Sequence, residues 1–157
     1  MALVFGTSTA LTITAGSLAS AAARSSAVVT PNSTNIAAIM LSVNVLTTIT
    51  QTTGNQRVVV YGYMSEDGST YSGASSAVDN VDGTDKALTA LGSPTNLVYL
   101  GSITTNNATS AITLRKQFEI VSQFGCVPRN WGIVLYNDAG TALGATITAT
   151  YTEVSYN

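Results

Sequence analysis

The sequence predicts an all-β fold: one antiparallel β-sandwich domain with an extended N-terminal arm. Three observations carry this. Thr and Ser number 24 and 17 of the 157 residues, so about a quarter of the chain is hydroxylated. Thr is β-branched and suits strands, while Ser suits turns. Lys and Glu, the usual surface residues of helices, are scarce, and only 9% of residues are charged. Finally, apolar residues alternate with hydroxyl residues at period two in segment after segment.

Residues 1–30 read as the arm. Leu11-Thr-Ile-Thr14 alternates with period two, as does 27–30 more weakly, and the Ala-rich stretch 18–24 between them predicts one or two helical turns. The apolar start, Met1 to Phe5, is expected to be tied down. It either adds a strand to its own sheet or lies on a neighbouring subunit. Thr30-Pro-Asn-Ser-Thr-Asn35 is dense in turn residues and closes the arm.

The sandwich proper is expected over 31–157. Residues 36–50 give a long strand signal, with Leu41, Val43 and Val45 on one face and Ser42 and Asn44 on the other. Residues 57–64 give a second, and the two read as a hairpin across the turn 52–56. Ser65 to Thr70 is a turn, with Tyr71 opening a short strand. Residues 72–96 are the least regular, with a short helix expected over 85–91 behind an Asp85 or Thr84 cap. Strands follow over 97–105 and 111–124. In the second, Lys116 interrupts the apolar set Ile112, Leu114, Phe118 and Ile120, which predicts a register shift or an edge position. Residues 125–130 connect to a strand over 131–137, a tight turn at Asp138-Ala-Gly140, and a last strand over 145–156. There Ile147, Ala149, Tyr151 and Glu153 share one face, and Thr146, Thr148, Thr150 and Thr152 the other. Eight or so strands with short connections describe a sandwich of jelly-roll-like topology.

Composition narrows the function. There is no His and one Cys, and the formal charge is -2. Proton transfer, metal binding and nucleophilic attack have few side chains to use, so the expectation is a protein that is not an enzyme and carries no cofactor. Six scattered basic residues do not suit a nucleic-acid partner. No segment approaches the roughly 18 apolar residues of a membrane span. The first 25 residues lack the basic start and clean apolar run of a secretory leader. Cys126 is expected to be a small buried thiol, and with no disulfide framework, cytoplasmic synthesis fits.

Several constellations offer candidate chemistry. Glu66-Asp67-Gly68 with Ser69 offers oxygen ligands for Ca²⁺, but Asp-Gly is foremost a turn signal. Asp79, Asp82 and Asp85 have suggestive spacing without the alternation or terminal Glu of a Ca²⁺ loop. Glu66, Glu119 and Glu153 are the only Glu residues, and nothing in the sequence pairs two of them for glycoside hydrolysis. Lys86 and Lys116 sit in no Ser–Lys motif. Tyr61 and Tyr63, on one face of one strand, are the best candidates for a sugar-stacking platform.

The order of segments is itself informative. An apolar, Thr-rich arm precedes a long strand over 39–49. Val58-Val-Val-Tyr-Gly-Tyr-Met-Ser-Glu-Asp-Gly-Ser-Thr-Tyr71 follows, then Leu97-Val-Tyr-Leu-Gly-Ser-Ile and Pro128-Arg-Asn-Trp-Gly-Ile-Val-Leu-Tyr-Asn137. This resembles small virion structural proteins of tailed bacteriophages, of the kind that decorate or cement a capsid. The resemblance implies a jelly-roll-like module, commonly a homotrimer, seated on the major capsid protein over capsomer junctions. Synthesis would be in the host cytoplasm and residence on the capsid surface. A tail or neck component and a carbohydrate-binding module are the alternatives. The residues expected to touch a partner are those of the arm: Met1, Ala2, Leu3, Val4, Phe5, Leu11 and Ile13.

Overall fold

The computed structural model describes residues 2–48, 55–72, 81–88, 91, 96–105 and 110–157. Among these residues ten strands form two antiparallel sheets. They are β1 (Leu3–Phe5), β2 (Thr9–Leu11), β3 (Ala23–Ser25), β4 (Ile36–Leu46), β5 (Arg57–Ser65), β6 (Lys86–Leu88), β7 (Val98–Thr104), β8 (Thr113–Glu119), β9 (Asn130–Asp138) and β10 (Ile147–Tyr156). One short helix, α1 (Ile120–Phe124), lies between β8 and β9.

Sheet A runs β1-β10-β4-β8, with β2 also on β10. Sheet B runs β6-β3-β9-β5-β7. With β1 and β2 counted as one interrupted first strand and β6 as an added edge, the order is 1-8-3-6 in one sheet and 2-7-4-5 in the other. This is the strand order of a jelly roll.

Alternation builds the core. Ile39, Leu41, Val43 and Val45 of β4, Val58 and Val60 of β5, Trp131, Ile133 and Leu135 of β9, and Ile147, Ala149 and Tyr151 of β10 form one buried cluster between the sheets. The Trp131 and Tyr151 rings meet edge-on, 5.5 Å apart and 86° between planes. Such a pair adds roughly 0.5–1.5 kcal/mol to the area it buries. A second cluster covers the outer face of sheet B, where Tyr63, Tyr71, Val81, Leu88, Leu97 and Val134 pack together.

The structure corrects several expectations. β4 and β5 are not a hairpin: they lie in different sheets and face each other across the core. Residues 86–88 form strand β6 on β3 where a helix was expected. Residues 18–22 make turns and no helix, and 23–25 are a strand of sheet B. Of the weak strand signal at 27–30, only a single bridge from Val29 to Trp131 forms. The signal at 111–124 is cut at Glu119, which caps α1 by accepting from the Val121 and Ser122 backbone N–H groups at 2.9 and 2.6 Å. Gly125 ends that helix in the left-handed region at φ 74°. Cys126, just beyond, is exposed and not buried, because the chain leaves the sandwich at this turn. β8 is an edge strand, as the interruption at Lys116 implied. The Lys116 ammonium escapes the core face by donating to the Ser102 carbonyl at 2.8 Å and lying 5.6 Å from the centre of the Phe118 ring.

A candidate contact edge

Residues 3–11 run antiparallel to β10 in two pieces. Leu3, Val4 and Phe5 pair with Tyr156, Ser155 and Val154, and Thr9, Ala10 and Leu11 with Tyr151, Thr150 and Ala149. Apolar and β-branched residues favour both pieces. Between them Gly6 passes close to β10: its N–H donates to the Glu153 carbonyl at 2.9 Å, and a Cβ there would sit 3.1 Å from that oxygen. The arm is therefore a strand of its own sheet.

The seven arm residues then separate. Leu11 is 5% exposed and belongs to the core, and Ile13 packs against it. Leu3, Val4 and Phe5 are 55%, 44% and 70% exposed, and Ala2 is also exposed. Met1 lies outside the described residues. Of the predicted contacts among the described residues, Ala2 to Phe5 are the exposed ones, and Tyr156 lies across the ladder from Leu3.

A shallow groove borders this edge, lined by Asn35, Ile36, Tyr156 and Asn157. Its neighbour, lined by Gly6, Thr7, Thr9, Tyr151 and Glu153, is walled by the loop over 32–33. Glu153, buried in the sheet, holds that loop by accepting from the Asn32 and Ser33 N–H groups at 3.0 and 2.8 Å.

Asp67, Asp82 and Asp85 are engaged in holding local structure. Asp67 accepts from the Ser65 hydroxyl and the Ser69 and Thr70 N–H groups. Those from Thr70 and Ser69 do most to hold its carboxyl well below the usual range. Asp82 binds Thr84 and the Lys86 ammonium. Asp85 binds Thr14 and Arg24. For both Asp82 and Asp85, burial works to raise the pKa, but the hydrogen bonds together outweigh it and leave the pKa lowered. Asp79 lies outside the described residues. Among those residues no three His, Cys, Asp or Glu side chains converge.

Glu119 and Glu153 are not paired either. Glu153 stands opposite Ile39 and Glu119 opposite Met40, adjacent positions of β4, so their side chains leave opposite faces of sheet A. Tyr61 and Tyr63 do share a face of sheet B, but the second cluster covers it. Tyr63 is fully buried, with its hydroxyl donating to the Ser26 carbonyl at 2.8 Å. What stays accessible is the Tyr61–Tyr99 pair, 6.0 Å apart and edge-on, with Tyr99 55% exposed.

No protein-family model matches the chain, and neither a curated protein nor a solved structure matches it.

Proposed function

We propose that this chain is a non-enzymatic bacteriophage virion protein that decorates the capsid and cements it by bridging subunits of the major capsid protein. The observation that carries this reading is the edge Leu3–Phe5. It is an apolar, uncharged strand left exposed at one edge of sheet A. An open strand edge gives main-chain affinity, and apolar side chains on it give fit. Modest affinity per copy suffices on a shell that repeats the site.

The test is occupancy of purified shells by added recombinant protein. Phe5→Asp should weaken binding about tenfold or more, as loss of a central apolar anchor does. Unchanged occupancy would defeat the reading. Copy number per virion separates decoration from a tail or neck role: hundreds for the first, a few dozen at most for the second.

The Tyr61–Tyr99 pair favours a second reading, glycan binding. It requires glycan-array binding that Tyr61→Ala and Tyr99→Ala remove.

A further inference from the structure

We infer that the occupant of the β1 edge is β1 of a second copy of this chain, joined antiparallel about a two-fold axis at Val4. This rests on the reading of that edge as a contact surface and makes it the joint between two copies, so that the shell is bridged by the pair and Phe5→Asp lowers occupancy by splitting a bivalent binder.

The hydrogen-bond register of β1 sets the geometry. Asn157 N–H donates to the Ala2 carbonyl at 3.0 Å, and Gly6 N–H to the Glu153 carbonyl at 2.9 Å. Hydrogen-bonding pairs alternate along an antiparallel ladder. With Leu3 opposite Tyr156 and Phe5 opposite Val154, it is therefore Ala2, Val4 and Gly6 that turn their main chain toward β10. Leu3 and Phe5 turn theirs outward, and no described strand pairs with that side. The two residues with outward N–H and C=O groups are also the two most exposed large apolar residues of the strand.

Edge protection narrows the occupant. Natural sheets guard open edges with charge, bulges or brevity. β8, the far edge of sheet A, carries Arg115 and Lys116. β7 shifts register opposite Val60/Tyr61. β6 is three residues long with a Lys. β1 is short but has no charge and no bulge, and no charged residue occurs in the sequence before Arg24. Two β8 edges brought together would set Arg and Lys against Arg and Lys. Two β1 edges set nothing charged together.

β1 is also complementary to itself. An axis at Val4 overlaps all three residues. Leu3 of each copy faces Phe5 of the other in hydrogen-bonded pairs, which makes four main-chain bonds. The two Leu3 and two Phe5 side chains gather on one face beside both Tyr156 rings, and the Val4 side chains meet on the other. Sheet A then continues from copy to copy. Three residues a side make a small interface, so the pairing is weak in dilute solution and strengthens where copies are held close.

The experiment needs no shells. Val4→Cys is made in a Cys126→Ser background, since Cys126 is exposed. In a non-hydrogen-bonded pair the Cα atoms stand about 4.5 Å apart, within disulfide reach. Under mild oxidation the introduced thiols should join copies about tenfold or more faster than those of Ala142→Cys, an exposed site elsewhere. Adding Phe5→Asp should abolish that advantage, and sedimentation of the unmodified chain should show a concentration-dependent dimer that Phe5→Asp removes. Equal cross-linking rates at the two sites, or a trimer that does not cross-link through Val4→Cys, would overturn the inference even if shells are occupied as proposed above. A Val4-linked dimer that ignores shells would sink the capsid reading and leave this one standing.

Discussion

Thr14 and Asp85, 71 positions apart, meet at one carboxylate oxygen, which accepts from the Thr14 backbone N–H at 2.9 Å and from its hydroxyl at 2.6 Å. The other oxygen accepts from Arg24 Nε at 2.6 Å. One side chain thus ties the segment after β2 to β3 and β6. Asp85→Asn should cost about 1–3 kcal/mol, the range for breaking hydrogen bonds to a charged group. The folded pKa of Asp85 is lowered, so its stabilisation is present above the ordinary carboxylate value near ~3.9 and is lost as pH falls through the folded pKa. The wild type should exceed the variant in chemical-denaturation midpoint at pH 6, and the gap should close in strong acid.

Tyr63 predicts the alkaline limb. Burial pushes its pKa well above the ordinary value. A raised pKa that keeps the neutral form means stability present below about pH 10 and lost as pH climbs beyond it. Tyr63→Phe should cost about 1 kcal/mol at pH 7, from the lost bond to the Ser26 carbonyl, yet flatten the decline above pH 10. With no His in the chain, thermal melts between pH 6 and 7 should coincide.

Gly132 stands opposite Tyr63 in the β5–β9 ladder, and a methyl at Gly132 would run into the Tyr63 ring and hydroxyl. Gly132→Ala should destabilise by about 1–3 kcal/mol as an overpacked site. In a Tyr63→Leu background the same change should cost much less. An additive double-mutant cycle would contradict the packing described.

Trp131 is wholly buried, and its Nε1–H has no acceptor among the described residues. Trp131→Ala should cost about 3–5 kcal/mol. Trp131→Phe should cost far less, because it also removes a buried donor without a partner. Equilibrium urea unfolding of the three proteins checks the order.

The arm should tolerate trimming only at its tip. Removing residues 2–5 takes away exposed side chains and should leave the melting temperature close to wild type. Removing residues 2–12 also takes Leu11 from the core and should destabilise by about 2–5 kcal/mol or more. Circular-dichroism melts separate the two.

The strands were legible because period-two alternation fixes which face a residue takes. Ile147, Ala149 and Tyr151 point inward and Thr148, Thr150 and Thr152 outward, as the sequence implies. Which strands neighbour each other was less so. A strand-turn-strand pattern looks the same whether the chain folds back in one sheet, as expected for β4 and β5, or crosses to the other, as it does. α1 has five residues, too few for a helical period, and its signals were local: a carboxylate at Glu119 and a glycine at Gly125. At the edge, Leu3 and Leu11 look alike in sequence. They differ because Leu11 reaches the inter-sheet cluster and Leu3 does not, a distinction of tertiary structure alone.

The position of β10 bears on how the molecule is made. It lies between the β1–β2 edge and β4, so the spine of sheet A is supplied by residues 147–156, which leave the ribosome after the other described strands. Until then β1 and β2 have no described partner strand, and β4 is paired on its β8 side alone. Completion of sheet A therefore waits for residues 147–156 and is expected to be slow, because every pairing of β10 closes a long loop. Nascent chains stalled before Ile147 should be prey for chaperones and proteases.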